Sequence, residues 1–177
     1  TMVKPVVTVP VFAVHGLLDG ARSKGLATES WLDGVLAQAR IAESLLHLEQ
    51  SRVTIEQYIA LFSAVKNSLD DECLGHLHGR PLRCGSFALM ARSTLGAKTL
   101  AAALQRVSAS FALLQDDVAL VPVSDGLLKC AALDVRHALG KHSDFLHGLL
   151  LRVFWRLLVW LHGGRLVPRG LDFAFEP

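Results

Sequence analysis

The sequence predicts an α+β fold, mostly helical, with a small antiparallel sheet and one long buried helix. Three observations carry this. Apolar residues recur at helical spacing in several capped segments along the chain. Ser124-Asp125-Gly126 separates two short apolar runs, which is a hairpin signal. Residues 145–163, FLHGLLLRVFWRLLVWLHG, run for 19 residues without proline and are apolar on nearly all sides. A helix of that length spans about 28 Å, roughly the width of a small domain. Many helices with three or four strands make an α+β chain.

The elements follow in order. Pro5 and Pro10 oppose helix, so residues 1–10 are expected to be extended and loosely held. Residues 12–24 form a helix with Phe12, Leu17, Leu18 and Ala21 inward, and Gly25 ends it. Thr28 caps a second helix carrying Trp31, Leu32, Val35 and Leu36 at helical spacing. Residues 43–52 are polar and read as a linker or a short helix. Thr54 and Gln57 form a capping box for a helix over 55–69, with Ile55, Tyr58, Ile59, Phe62 and Val65 inward. Gly75, Gly79 and Pro81 then favour a short strand or turn followed by a loop. A short helix over 86–95 ends at Gly96. Thr99 caps a helix over 100–114, with Leu100, Leu104, Val107, Phe111 and Leu114 on one stripe. Strands over 118–123 and 127–133 make the hairpin. The long helix follows, and residues 171–175 are expected to add a last strand.

Composition bounds the function. The 177 residues suffice for one domain with a substantial core. Apolar residues are 51% and charged residues 19%, so the chain is globular rather than disordered. A net charge of +2 without a lysine or arginine cluster argues against a strong nucleic-acid surface. The two arginines within 145–163 argue against a membrane span. Three widely spaced cysteines, with no CxxC pair, fit a reduced, cytoplasmic protein. Pro5 and Pro10 interrupt the one apolar stretch near the start, so no signal peptide is expected.

Few residues carry chemistry. His76 and His78 would share one side of a strand, with Cys73 or Cys84 as further metal ligands, but no spacing matches a zinc pattern. The plainer reading is a polar turn with surface histidines. No Gly-x-Ser-x-Gly elbow is present, and Cys84-Gly85-Ser86 reads as a buried or merely tolerated cysteine rather than as a nucleophile loop. No catalytic residue, metal or cofactor is therefore expected. The arginines make the better case. Arg83, Arg92, Arg152 and Arg156 lie beside or within apolar elements. A buried arginine must be paired. Asp116, Asp117, Asp134 and Asp144 are internal partners, so the plainer reading is a structural ion pair or a snorkelling side chain; the functional reading is a pocket that grips a carboxylate. Finally, Leu166-Val167-Pro168-Arg169-Gly170 is close to a thrombin-tag sequence, with Leu171 where a tag has serine. It reads as native chain, open to thrombin if exposed.

The order of motifs from Gly85 to Asp117 resembles the amino-terminal effector domain of AraC-type bacterial transcription regulators, in the arabinose-binding-like branch. The residues are a Gly-Ser-Phe helix start, ALMARSTLG, and KTLAAALQRVSASFALLQDDV. Thr99, Leu100, Ala103 and Leu104 match the branch's Thr-Leu-x-x-Ala-Leu helix start. Gly25-Leu26, Val53-Thr54-Ile55, Leu74-Gly75, the hairpin, the long helix and Pro168 fall in the matching order. The resemblance covers the chain from about Phe12 onward. It implies one effector-binding and dimerising domain over residues 1–177, a small-molecule effector and a homodimer. It also implies contact with DNA only through a helix-turn-helix domain expected outside this chain. A standalone small-molecule-binding or enzymatic α+β protein is the alternative.

Overall fold

A computed structural model describes residues 6–125, 128–135 and 143–172. The chain divides into two compact units, residues 1–76 and 77–177. Mostly helical α+β architecture is observed: the described residues hold six α-helices and two small two-stranded antiparallel sheets.

The first unit opens with β1 (Thr8–Pro10), paired antiparallel with β2 (Arg52–Thr54), so that Val9 faces Val53. The loose start expected for residues 1–10 is thus corrected for 8–10. Arg52 holds the pair by donating from Nε to Thr8 Oγ1 at 2.7 Å and from Nη2 to the Thr8 carbonyl at 2.9 Å. Helix α1 (Val11–Ser23) buries Val14, Leu17, Leu18 and Ala21. Phe12 is 74% exposed, because the helix turns its Val11 and Val14 line inward instead. Gly25 ends α1 as foreseen, at φ 67°; the Leu26 amide reaches back to the Ala21 carbonyl and the Gly25 amide to that of Arg22. Helix α2 (Glu29–Ala39) starts where Thr28 Oγ1 accepts from the Trp31 amide at 3.2 Å. A single 3-10 turn covers Glu43–His47.

Helix α3 (Ile55–Leu69) begins at the predicted capping box: Thr54 Oγ1 accepts from the Gln57 amide and Gln57 Oε1 accepts from the Thr54 amide. Its buried line is Leu61, Ala64 and Val65; of the predicted stripe Val65 is buried, Ile55, Tyr58 and Phe62 are half-buried, and Ile59 is 57% exposed. The helix has apolar residues on several sides; packing against α1 and α2 decides which of them are covered.

A buried turn closes this unit. The Asp71 carboxylate accepts from the Cys73 and Gly75 amides at 2.9 and 2.8 Å, which holds Leu74 at φ 57° and Gly75 at φ 82°. The turn lies directly on α1. A methyl group on Gly20 would stand 2.2 Å from the Leu74 carbonyl oxygen. His76 Nε2 donates to the Gly16 carbonyl oxygen at 2.8 Å. Gly20 thus leaves a gap without a side chain into which the turn's backbone fits, and Gly16, one turn earlier, supplies the carbonyl that holds His76.

In the second unit α4 (Ser86–Ser93) packs on α5 (Leu100–Leu114). Thr99 caps α5 as predicted, with Oγ1 accepting from the Ala102 amide at 3.1 Å. The α5 core line is Ala103, Val107 and Phe111. Buried Gln115 turns the chain into the hairpin: its Nε2 donates to the Val118 carbonyl at 2.6 Å and its Oε1 accepts from the Val118 amide at 2.8 Å. Strand β3 (Val118–Asp125) pairs antiparallel with β4 (Leu128–Val135), with Asp125 facing Leu128. The predicted Gly126 of the turn lies outside the described residues.

Helix α6 (Ser143–Leu161) is the predicted long helix. It is buried along one line, Leu146, Leu150 and Phe154, rather than on nearly all sides. Trp160 is 64% exposed. The physical reason is that α6 packs on β4 and α5 along a single seam instead of passing through a core. Phe154 meets Phe87 and Phe111 edge-on, at ring distances of 6.1 and 5.2 Å, which ties α4, α5 and α6 together. Of the predicted last strand, residues 171–172 are not in a strand and 173–175 lie outside the described residues.

Candidate functional site

The loop between α4 and α5 is short and polar, and Gly96 turns it at φ 75°. The Thr94 hydroxyl donates to the Ala91 carbonyl at 2.6 Å, and Arg106 Nη1 donates to the Ser93 and Leu95 carbonyls at 3.3 and 3.0 Å. A guanidinium on the last carbonyls of α4 satisfies acceptors that the helix leaves open and suits its negative end. This fixes the loop against the amino end of α5.

A pocket of about 260 Å³ opens there. Thr94, Lys98, Thr99 and Ala103 form one side, and Leu161 with His162 at the end of α6 the other. Its chemistry is that of a helix start. Thr99 covers one amide, the neighbouring first-turn amides have no partner within the helix, and Lys98 brings a positive charge. A second pocket, about 350 Å³, lies in the first unit between Val11, Phe12 and His15 of α1 and Leu46, His47 and Glu49. His15 is fixed at its edge. Arg22 can only donate, so Nδ1 accepts from it at 3.0 Å, and Nε2 donates to the Leu46 carbonyl at 3.0 Å.

The four arginines singled out by sequence do not form a buried site. Arg83, Arg92, Arg152 and Arg156 are all exposed, and none lines either pocket. Of the readings open from sequence, a snorkelling side chain fits this exposure and a buried arginine does not. Arg152 and Arg156 stand together on the line of α6 opposite Leu146, Leu150 and Phe154, where their long stems lie along an apolar helix and their charges reach water. Arg92 is in the last turn of α4, and Arg83 precedes that helix. The other candidates also moved. His76, read as a surface histidine, is 2% exposed and bonded to α1. His78 is exposed. Among the described residues no three of His, Cys, Asp or Glu come together to hold a metal ion. Lys98 and His162 were not foreseen as neighbours, since only the fold brings the end of α6 to the start of α5. The legible part was the Thr99 cap.

The family model for the arabinose-binding domain of the AraC transcription regulator, amino-terminal part, matches residues 32–177. The chain belongs to this family. No curated protein and no solved structure matches it. The match spans α2 to the end of the chain and includes the pocket before α5 and all four arginines. A domain of this kind is a ligand-sensing regulatory domain of a transcription regulator. Among the described residues no helix is long and apolar enough to cross a membrane.

Proposed function

We propose that residues 1–177 act as the cytoplasmic, homodimeric effector domain of an AraC-type regulator, and that the effector is a small molecule bearing a carboxylate, such as an amino acid or an organic acid. Binding shifts a conformational or dimer equilibrium. That shift controls a helix-turn-helix domain outside these residues, and only that domain touches DNA. The family match carries the reading. Two-fold dimers suit regulators that read paired half-sites.

Two sets of cations support a carboxylate over a neutral sugar. Lys98 stands at the pocket before α5, where the helix start favours an anion. Arg152 and Arg156 offer a pair of guanidinium groups on one helix line, with Arg83 and Arg92 as single contacts elsewhere. The test is a thermal-shift screen of the domain against amino acids, organic acids, sugars and fatty acids. A carboxylate hit lost in Lys98→Gln assigns the pocket, whereas one lost in the Arg152→Ala, Arg156→Ala double variant assigns the α6 pair. A hit that survives both of these and Arg83→Ala and Arg92→Ala rejects a cation-gripped effector. Sedimentation with and without the hit reads the dimer: an unchanged monomer in both states rejects control through dimerisation.

A further inference from the structure

The chain after α6 has a property that its family membership does not use. Residues 165–172 lie in neither helix nor strand. Among the described residues, none of their backbone or side-chain groups takes part in a hydrogen bond or ion pair. Val167 is 81% and Leu171 54% exposed, and Arg165, Pro168, Arg169 and Gly170 are exposed as well. Pro168 restricts its own φ and biases Val167 toward extended backbone, and the chain then bends at Arg169.

We propose that the Arg169–Gly170 bond is a limited-proteolysis site for a serine endoprotease of trypsin-like type with a preference for proline followed by arginine. Such proteases bind their substrate as an extended segment, and an acidic pocket takes the arginine side chain. A bond inside a helix must first open before it can be bound that way, and its cleavage tracks the open population. Arg92, Arg106, Arg152 and Arg156 lie inside helices and meet that barrier. Arg80 is held on the Leu113 carbonyl at 2.7 Å and is followed by Pro81, whose ring and missing amide hydrogen oppose cleavage. Arg169 meets a lower barrier: its segment must straighten a bend and release the half-buried Leu166, but it has no hydrogen bond to lose. Hydrolysis adds one water across the bond. The Arg169 carbonyl carbon becomes a carboxylate and the Gly170 nitrogen becomes a new amino terminus. The seam of Leu146, Leu150 and Phe154 lies upstream of the cut, so α6 stays packed.

Thrombin is the probe, applied to the folded protein and to the same protein unfolded in urea at a concentration that leaves the protease active. Intact mass should show, for the folded sample, a first product ending at Arg169 with an unchanged melting temperature. Arg169→Gln should lose that product while melting as the parent does. Resistance of the folded protein together with cleavage of the unfolded chain would overturn the proposal, because the bond would then be protected by structure. A first cut at any other bond, or no cut at Arg169 in either sample, would overturn it equally.

Discussion

At Gly20 a single missing methyl group decides whether the first unit closes. Cβ there would be 2.2 Å from the Leu74 oxygen and 2.7 Å from the His76 nitrogen, both backbone atoms that cannot rotate away. Gly20→Ala is therefore expected to destabilise the protein by about 3 kcal/mol, the upper end for overpacking. Gly34 in α2 has nothing within 4 Å of its hypothetical Cβ. Gly34→Ala should stabilise by about 0.5–1 kcal/mol, through the helix propensity of alanine. Urea unfolding of the two variants checks the pair, and equal effects would refute the close fit at Gly20. Asp71→Ala leaves the Cys73 and Gly75 amides without their carboxylate inside a buried turn. A loss of about 2 kcal/mol is expected by the same measurement. At this scale the sequence was partly legible. Thr28, Thr54 and Thr99 could be read as caps because a cap and its amide lie three residues apart. His76 could not be read, because its partner is a carbonyl on α1 that only folding brings near.

Elements began where their caps said, but some ended and faced elsewhere. Helices α2 and α3 stop at Arg40 (φ 55°) and Asp70 (φ 48°), left-handed positions that usually call for glycine. The end of α3 at Leu69 was read from sequence all the same, whereas no end could be read for α2. Phe12 on α1, and most of the stripe read for α3, were misplaced for a related reason, whereas Leu17, Leu18 and Ala21 are buried as read. Both helices are apolar over more than one face, and the choice among faces belongs to the neighbour. Helix α6 is the clearest case. Sequence alone makes it apolar on nearly all sides; packing covers one seam. Leu150→Ala is expected to cost about 3 kcal/mol, and Arg156→Ala to change stability by less than about 0.5 kcal/mol. Chemical denaturation of both variants checks the seam, and a large cost at Arg156 would point to a buried role for that side. Thr54→Ala should cost about 1 kcal/mol by removing the hydroxyl half of the α3 capping box.

For the whole molecule, the expected signature of function is ligand-induced stability. An effector at 100 times its dissociation constant adds about 2.7 kcal/mol. For a chain of this size that raises the melting temperature by roughly 5–10 °C. A panel that produces no shift at saturating carboxylate would reject the proposed effector class. The sequence by itself determined the class of fold, most helix starts, the hairpin and the family, because these rest on local chemistry: caps, periodicity and turn residues read within a few positions. Only the tertiary structure decided the rest. It paired β1 with β2, set the Asp71 turn into the gap at Gly20, brought Leu161 and His162 to the amino end of α5, and turned Arg152 and Arg156 to solvent. Each of these joins residues far apart in the chain or chooses between equally apolar faces. Such choices depend on which surfaces meet and exclude water together, and no stretch of sequence read alone contains its partner.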